Sequence, residues 1–221
     1  MNFVLFFFAL ILSVPSSAAE SKIEEWELRR DRDGITVYTR SVPGSDFKEV
    51  RSEMTVPSPV NEMVGLVMDT DACPDWAALC KESHVAESVS PQEAFIYTYN
   101  DLPWPVTDRD AVGHVKWSVA DDGTVTMQVE IVLGKVPTKR RVIRLSQGTT
   151  SWAFIPTASG NTKIISYAHL DPGGSVPLWI TNMLLVDAPF DTMENMRAVV
   201  ATGKYKNASF GFITNDATTT E

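Results

Sequence analysis

Side chains able to do covalent or acid–base chemistry are sparse in this chain. There are two cysteines, Cys73 and Cys80, and three histidines, His84, His114 and His169. A zinc hydrolase spaces two His around a Glu on one helix turn, a nucleophile elbow sets Ser between glycines, and a phosphate loop needs clustered glycines closed by Lys. None of these spacings occurs. The histidines fall on three separate predicted strands, and the cysteines do not stand in a metal-ligand pattern. No metal, no cofactor and no catalytic set is expected, so the protein does not read as an enzyme.

The two cysteines are seven residues apart. On an unbroken helix that separation rises about 10.5 Å, beyond the 7 Å or so that a disulfide tolerates. Pro74 directly follows Cys73 and marks a helix start, so Cys73 can fold back from the preceding turn. The spacing therefore admits a disulfide in an oxidising compartment, and equally two ordinary small buried residues.

The elements that must position these side chains begin with a leader. Residues 1–19 carry no charged side chain, and the apolar run Phe3 to Leu12 is too short for the 20 or so residues that span a bilayer. Ser16-Ser17-Ala18-Ala19 supplies small residues for cleavage after Ala19, which predicts a signal peptide, export, and a periplasmic location with secretion as the alternative. Residues 20–203 then read as one domain, large enough for a single core, and 204–221 as a polar tail without order. The formal net charge of −9 argues against nucleic acid and against electrostatic adhesion to an anionic membrane. Membrane contact is expected to be transient and apolar, and the protein a monomer.

Hydrophobic periodicity predicts a first helix over Lys22 to Arg32, strands over Ile35 to Ser41 and Phe47 to Val56, and helices over Val60 to Met68 and Pro74 to Cys80. Strand patterns follow over Ser83–Val89, Ala94–Asn100, Arg109–Val119, Thr124–Leu133, Arg140–Gln147, Ser151–Thr157 and Lys163–Leu170. In two of them the alternation is strict: Ala111, Gly113, Val115 and Trp117 oppose Asp110, His114, Lys116 and Ser118, while Val125, Met127, Val129 and Ile131 oppose Thr124, Thr126, Gln128 and Glu130. One face is dry and the other wet. Val176 to Thr202 turns helical, with Trp179, Met183, Val186, Phe190 and Met193 three or four residues apart and Pro189 as an interruption. A long antiparallel sheet with one dry face and one amphipathic helix has few solutions: the sheet curls and the helix covers its concave side, an α+β fold.

Trp26, Asp33-Gly34-Ile35 with Val37-Tyr38, Phe47-Lys48, Arg51, Trp76, Arg109-Asp110, Trp152, Pro156 and the block Asp171-Pro172-Gly173-Gly174-Ser175-Val176-Pro177-Leu178-Trp179-Ile180-Thr181-Asn182 resemble the START (steroidogenic acute regulatory protein-related lipid transfer) domain. The resemblance runs from about Lys22 to Val200 in the family's order and spacing. It implies a helix-grip fold, a curved antiparallel sheet wrapped around a long C-terminal helix that roofs a cavity for one lipid or other hydrophobic ligand. It also implies a gate loop, here Leu102 to Thr107, in which prolines resist the sheet ladder and Trp104 offers apolar surface.

Candidate lining residues are Val115, Trp117, Met127, Val129, Ile131, Ile143, Met183, Val186 and Phe190, each of which also reads as ordinary core. Tyr97, Tyr99 and Asn182 are the polar candidates among them, and Arg109 is either a headgroup ligand or part of a structural pair with Asp110. Sterol-binding relatives resemble one another in carrying an acidic residue and an Arg in the cavity. The matching positions here are Tyr99 and Val115, which points away from a cholesterol-like cargo. The function expected is binding, and transfer or sensing, of one lipid. The alternatives are a helix-grip enzyme of the polyketide cyclase or aromatase type, which shares the architecture, and an envelope adaptor whose cavity is filled by side chains.

Overall fold

The computed structural model describes residues 25–213. The leader with its cleavage point lies outside the described residues, as does the polar run 214–221. Ten strands form one sheet: β1 Glu27–Arg32, β2 Ile35–Arg40, β3 Glu49–Val56, β4 Cys80–Ser90, β5 Glu93–Asn100, β6 Arg109–Val119, β7 Val125–Ile131, β8 Ile143–Arg144, β9 Gly148–Pro156 and β10 Thr162–Leu170. Their order is β1-β2-β3-β10-β9-β7-β6-β5-β4, antiparallel along that path. Helices α1 Val60–Met68 and α2 Cys73–Trp76 interrupt the sheet, and α3 Leu178–Asn182, a π-helical segment Met183–Asp187 and α4 Ala188–Ala201 follow it. This is the expected α+β helix-grip architecture.

The alternation of period two places one residue set on the core face of each strand. Ile35 and Val37 of β2, Met54 and Val56 of β3, Val115 and Trp117 of β6, Phe154 of β9 and Ile164 of β10 are all buried there. They meet Met63, Leu66 and Val67 of α1 and Phe190, Met193, Met196 and Val200 of α4 in one cluster. Each such side chain, fully buried, contributes about 1.5–3 kcal/mol before entropy is counted.

Four expectations are corrected. The segment read as a first helix is strand β1 over its described part, because Asp33 and Gly34 both take positive φ, 53° and 73°, and turn the chain back so that Arg32 pairs with Ile35. Asp-Gly is the sequence that such a two-residue hairpin favours, and β1 is an exposed, charged edge with no alternation to read. The helix expected to reach Cys80 stops at Trp76: Ala77 is extended and Cys80 already opens β4. The strand expected over Arg140–Gln147 shrinks to β8, and it runs parallel to β6. The cause is Arg144, whose guanidinium is drawn onto Asp110 at 2.7 and 2.9 Å and onto the carbonyls of Val136 and Pro137, so the preceding loop folds over the outer face of the sheet. Finally, the chain does not lose order after Gly203. Tyr205 is buried and donates its hydroxyl to Asp69 at 2.8 Å, and Phe210, Phe212 and Ile213 pack on the core. Gly65 on α1 permits that approach, since a Cβ there would stand 2.8 Å from Cβ of Ala208.

The C-terminal helix is continuous but not uniform. Pro189 has no N–H to return to the preceding turn, and the π-helical turns just before it widen the spiral. An apolar register counted at 3.6 residues does not carry across such a segment. Trp179, expected inward, is 51% exposed, and its neighbour Ile180 is buried instead.

Candidate functional site: an uncharged cavity between the sheet and α1–α2

A cavity of about 190 Å³ lies on the concave face where the sheet bends away from the helices. Its floor is built from consecutive inward positions of four neighbouring strands: Ile96 and Thr98 of β5, Ala111, Gly113 and Val115 of β6, Met127, Val129 and Ile131 of β7, and Thr150 of β9. Ser83 of β4 closes one side. The roof is Val67 at the end of α1, Thr70, and Cys73 and Trp76 of α2. No wall residue carries a charge.

The roof is held at two points. Cys73 and Cys80 form a disulfide with their Cα atoms 6.0 Å apart, tying α2 to the start of β4. The backbone N–H of Ala78 donates to Thr192 Oγ1 at 3.0 Å, tying the same segment to α4. Trp76 sets the edge of its ring against Trp152, at 6.2 Å between centroids and 90° between planes.

Of the residues singled out from sequence, Val115, Met127, Val129 and Ile131 come together in this wall. Trp117 lies on the same face but deeper, stacked against Phe154 and near Phe212. Several candidates are corrected. Met183 and Val186 are half-buried on the π-helical segment and Phe190 is buried in the core, so none of the three is in the wall, and the C-terminal helix contributes nothing to this roof. Asn182 is exposed. Ile143 packs beneath the turn at Gly173, where a Cβ would lie 3.0 Å from its Cγ2. Trp104 is 90% exposed at the tip of its loop, while Leu102 is buried and its N–H donates to Asp108 at 3.0 Å.

Tyr97 and Tyr99 face the opposite side of the sheet. Register decides this: Tyr97 pairs with Val112 and Tyr99 with Asp110, both on the outward set of β6. Tyr97 is buried there with Phe95 and Val112 beneath Val132 and Val136, and its hydroxyl donates to Asp110 at 3.1 Å. Tyr99 donates to Asp108, and that bond pushes its phenol up to about 12. Arg109 is also committed elsewhere. It is 4% exposed, and its guanidinium donates to the carbonyls of Thr107, Pro172 and Gly173, which fastens the loop before β6 to the Asp171–Gly174 turn. Burial pushes its pKa down, against the nearby carboxylate of Asp108, which raises it.

Sequence reasoning missed Ser83, Ile96, Thr98 and Thr150. The signal was available in the pairing: once Ala111 is inward, its cross-strand partner Thr98 must be inward, and so must Ser83 opposite Thr98.

The histidines remain apart. His114 bonds Glu93 at 2.6 Å on the outer face, His84 lies by Glu82 at the β4 edge, and His169 bonds Ser45 at 2.9 Å. Among the described residues no group of three His, Cys, Asp or Glu side chains could hold a metal ion. A wider depression of about 380 Å³ on the outer face is lined by Glu49, His114, Lys116, Gln128, Tyr167 and His169 among others. It is lined mainly by polar and charged side chains, whereas the lining of the inner cavity is mainly apolar.

A curved antiparallel sheet gripping a long C-terminal helix, with an uncharged cavity on its concave side, defines the helix-grip class. The START domain family pattern matches residues 12–204, and the chain belongs to that family. An uncharacterized protein of Pseudomonas aeruginosa is 31% identical over 198 residues, covering 90% of this chain and 98% of that protein. The phosphatidylcholine transfer protein of Rattus norvegicus is 26% identical over 163 residues, covering 72% of this chain and 75% of that protein. Among solved structures, a STAR-related lipid transfer protein from Xanthomonas axonopodis matches with a TM-score of 0.73 and 31% identity, covering 80% of this chain and 98% of that one. Human StAR-related lipid transfer protein 5 shares the fold at a TM-score of 0.74 and 18% identity, over 80% of this chain and 87% of that one. The named relatives are thus lipid transfer proteins, and lipid binding is the activity the family carries.

Proposed function

We propose that this protein is an exported carrier that takes one apolar ligand into the cavity between the sheet and α1–α2. The observation that carries the reading is the wall itself: inward positions of four strands and the α1–α2 segment line a partly open cavity without one charged side chain. About six ligand methylenes fill it at about 30 Å³ each, and their burial gains about 5 kcal/mol before the entropy cost of binding. At about 190 Å³ the cavity is smaller than the 300–1,000 Å³ usual for small-molecule sites, so uptake requires the lid to give. The part that must give is the roof itself, Val67, Thr70, Cys73 and Trp76, which is tied to β4 by the Cys73–Cys80 bridge. Trp104, exposed at the tip of its loop, makes brief apolar contact with the donor membrane. Export is supported by the short apolar leader and by the Cys73–Cys80 bridge, which suits an oxidising compartment such as the periplasm.

The test is extraction of protein purified from its native compartment, mass spectrometry of any co-purified lipid, and transfer of labelled lipid between vesicles. A stoichiometric lipid and saturable transfer are expected. Protein that is always empty and neither takes up nor moves lipid overturns the proposal.

A further inference from the structure

We infer that the β4–β5 end of the cavity is a binding site for the uncharged polar end of a lipid, an alcohol hydroxyl, and that Ser83 and Thr98 receive it. This rests on the carrier reading above and names the ligand class for the same cavity. Ser83 and Thr98 are cross-strand partners, and Thr98 pairs on its other side with Ala111, so the three side chains stand together on the concave face. All three line the cavity. Ser83 is 8% exposed, yet among the described residues neither its hydroxyl nor that of Thr98 has a hydrogen-bond partner in the protein. Neither oxygen is sealed off, so a molecule inside the cavity can reach both. A hydroxyl taken from water and left unmet is destabilising, and valine in place of Thr98 would fill the same space without that cost.

Polarity is concentrated at that end. The turn Thr70–Ala72 packs against β4 and brings a third hydroxyl, that of Thr70, to the same side of the wall. Two residues along the strands, the next row across the sheet is Ile96, Gly113 and Ile131, and the row after it carries Val115 and Val129 before Thr150 at the far side. A lipid therefore lies with its polar end between β4 and β5 and its hydrocarbon across β6 and β7. An alcohol both donates and accepts, and two neighbouring hydroxyls complete it in both directions, one taking its proton and one giving. A phosphate or carboxylate would be stripped of water there with no counter-charge, since no wall residue is charged. The buried charges near this end of the sheet are already spent: Arg109 on three backbone carbonyls and Asp110 on Arg144 and Tyr97.

Three pyrene-tailed probes, titrated by fluorescence into the full chain at pH 8, test the assignment: 1-dodecylpyrene, pyrenedodecanol and pyrenedodecanoate. The alcohol should bind more tightly than the carboxylate. Ser83→Ala and Thr98→Val each remove one hydroxyl and no hydrogen bond within the protein, so the melting temperature should hold. In each variant the alcohol should lose about fivefold in affinity, the worth of one net hydrogen bond, while the hydrocarbon does not weaken. A packing role alone would move both probes together and leave their ratio as it was. Loss of alcohol affinity in either variant supports the assignment and names the hydroxyl in contact. Binding of none of the three probes would sink the carrier reading itself. An alcohol-to-hydrocarbon ratio unchanged in both variants, or a carboxylate bound as tightly as the alcohol, would leave the carrier standing and overturn the assignment of its polar end.

Discussion

Ala111→Leu tests whether the space under α2 is a ligand site or a packing defect. Ala111 is 8% exposed and lines the cavity, and the substitution adds three carbons aimed into it. Each carbon takes about the 30 Å³ of a water molecule, so together they fill about half of the 190 Å³. Burying them gains about 2.4 kcal/mol at 0.8 per carbon, and freezing the leucine rotamers returns up to 1, which leaves the empty protein about 1.5 kcal/mol more stable. For a domain of this size that raises the melting temperature by about 3–6 °C. The same three carbons displace ligand, at a cost of about fiftyfold in affinity for dodecylpyrene. Denaturant unfolding of delipidated protein and fluorescence titration read the two effects separately. If the leucine variant is destabilised, as overpacking of a full core would do by about 1–3 kcal/mol, and still binds the hydrocarbon normally, the cavity reasoning is wrong.

Other predictions concern the frame around the site. Arg144→Ala strands the fully buried carboxylate of Asp110 and should cost about 3–5 kcal/mol in urea unfolding; a loss under 1 kcal/mol would mean the pair is not buried as described. The Cys73→Ser/Cys80→Ser pair opens a short loop worth about 2.5 kcal/mol in chain entropy, so the oxidised wild type should melt higher than the double variant, and reductant should abolish the difference. Asp69 is held below the usual carboxylate range, chiefly by its hydrogen bond from Lys204 and also by that from Tyr205, against burial. Its contribution is therefore complete above about pH 5, where the unfolded carboxylate is almost fully ionised, and is lost as pH falls through its lower folded value. Melting curves between pH 2 and 6 should show a steeper acid decline in wild type than in Asp69→Asn; parallel curves would refute the docking of the 204–213 segment through this carboxylate.

The periodicity of β6 and β7 was enough to assign their dry faces, and the floor residues Val115, Met127, Val129 and Ile131 follow from it, because β7 and the second half of β6 expose Lys116, Ser118, Gln128 and Glu130 on the face opposite them. In β5 the same logic fails. Its outer face is covered by the loop before β8 and its inner face by the cavity roof, so Phe95, Tyr97 and Tyr99 alternate with Ile96 and Thr98 without a polar contrast to read. Only pairing with β6 tells the two sets apart. β1 hid for the opposite reason, having no buried face, and the C-terminal helix misled because its π-helical turns break the count of 3.6.

The family, the sheet-and-helix architecture and the lack of a metal or nucleophile spacing are written in local patterns and motif spacings, which act over a few residues and survive in a linear reading. The roof of the cavity, the meeting of Ser83 with Thr98 beneath it and the diversion of Arg109 and both tyrosines away from it depend on which distant segments meet. Such contacts are fixed by register, by one disulfide and by the return of the chain at residues 204–213, and no stretch of sequence carries them alone.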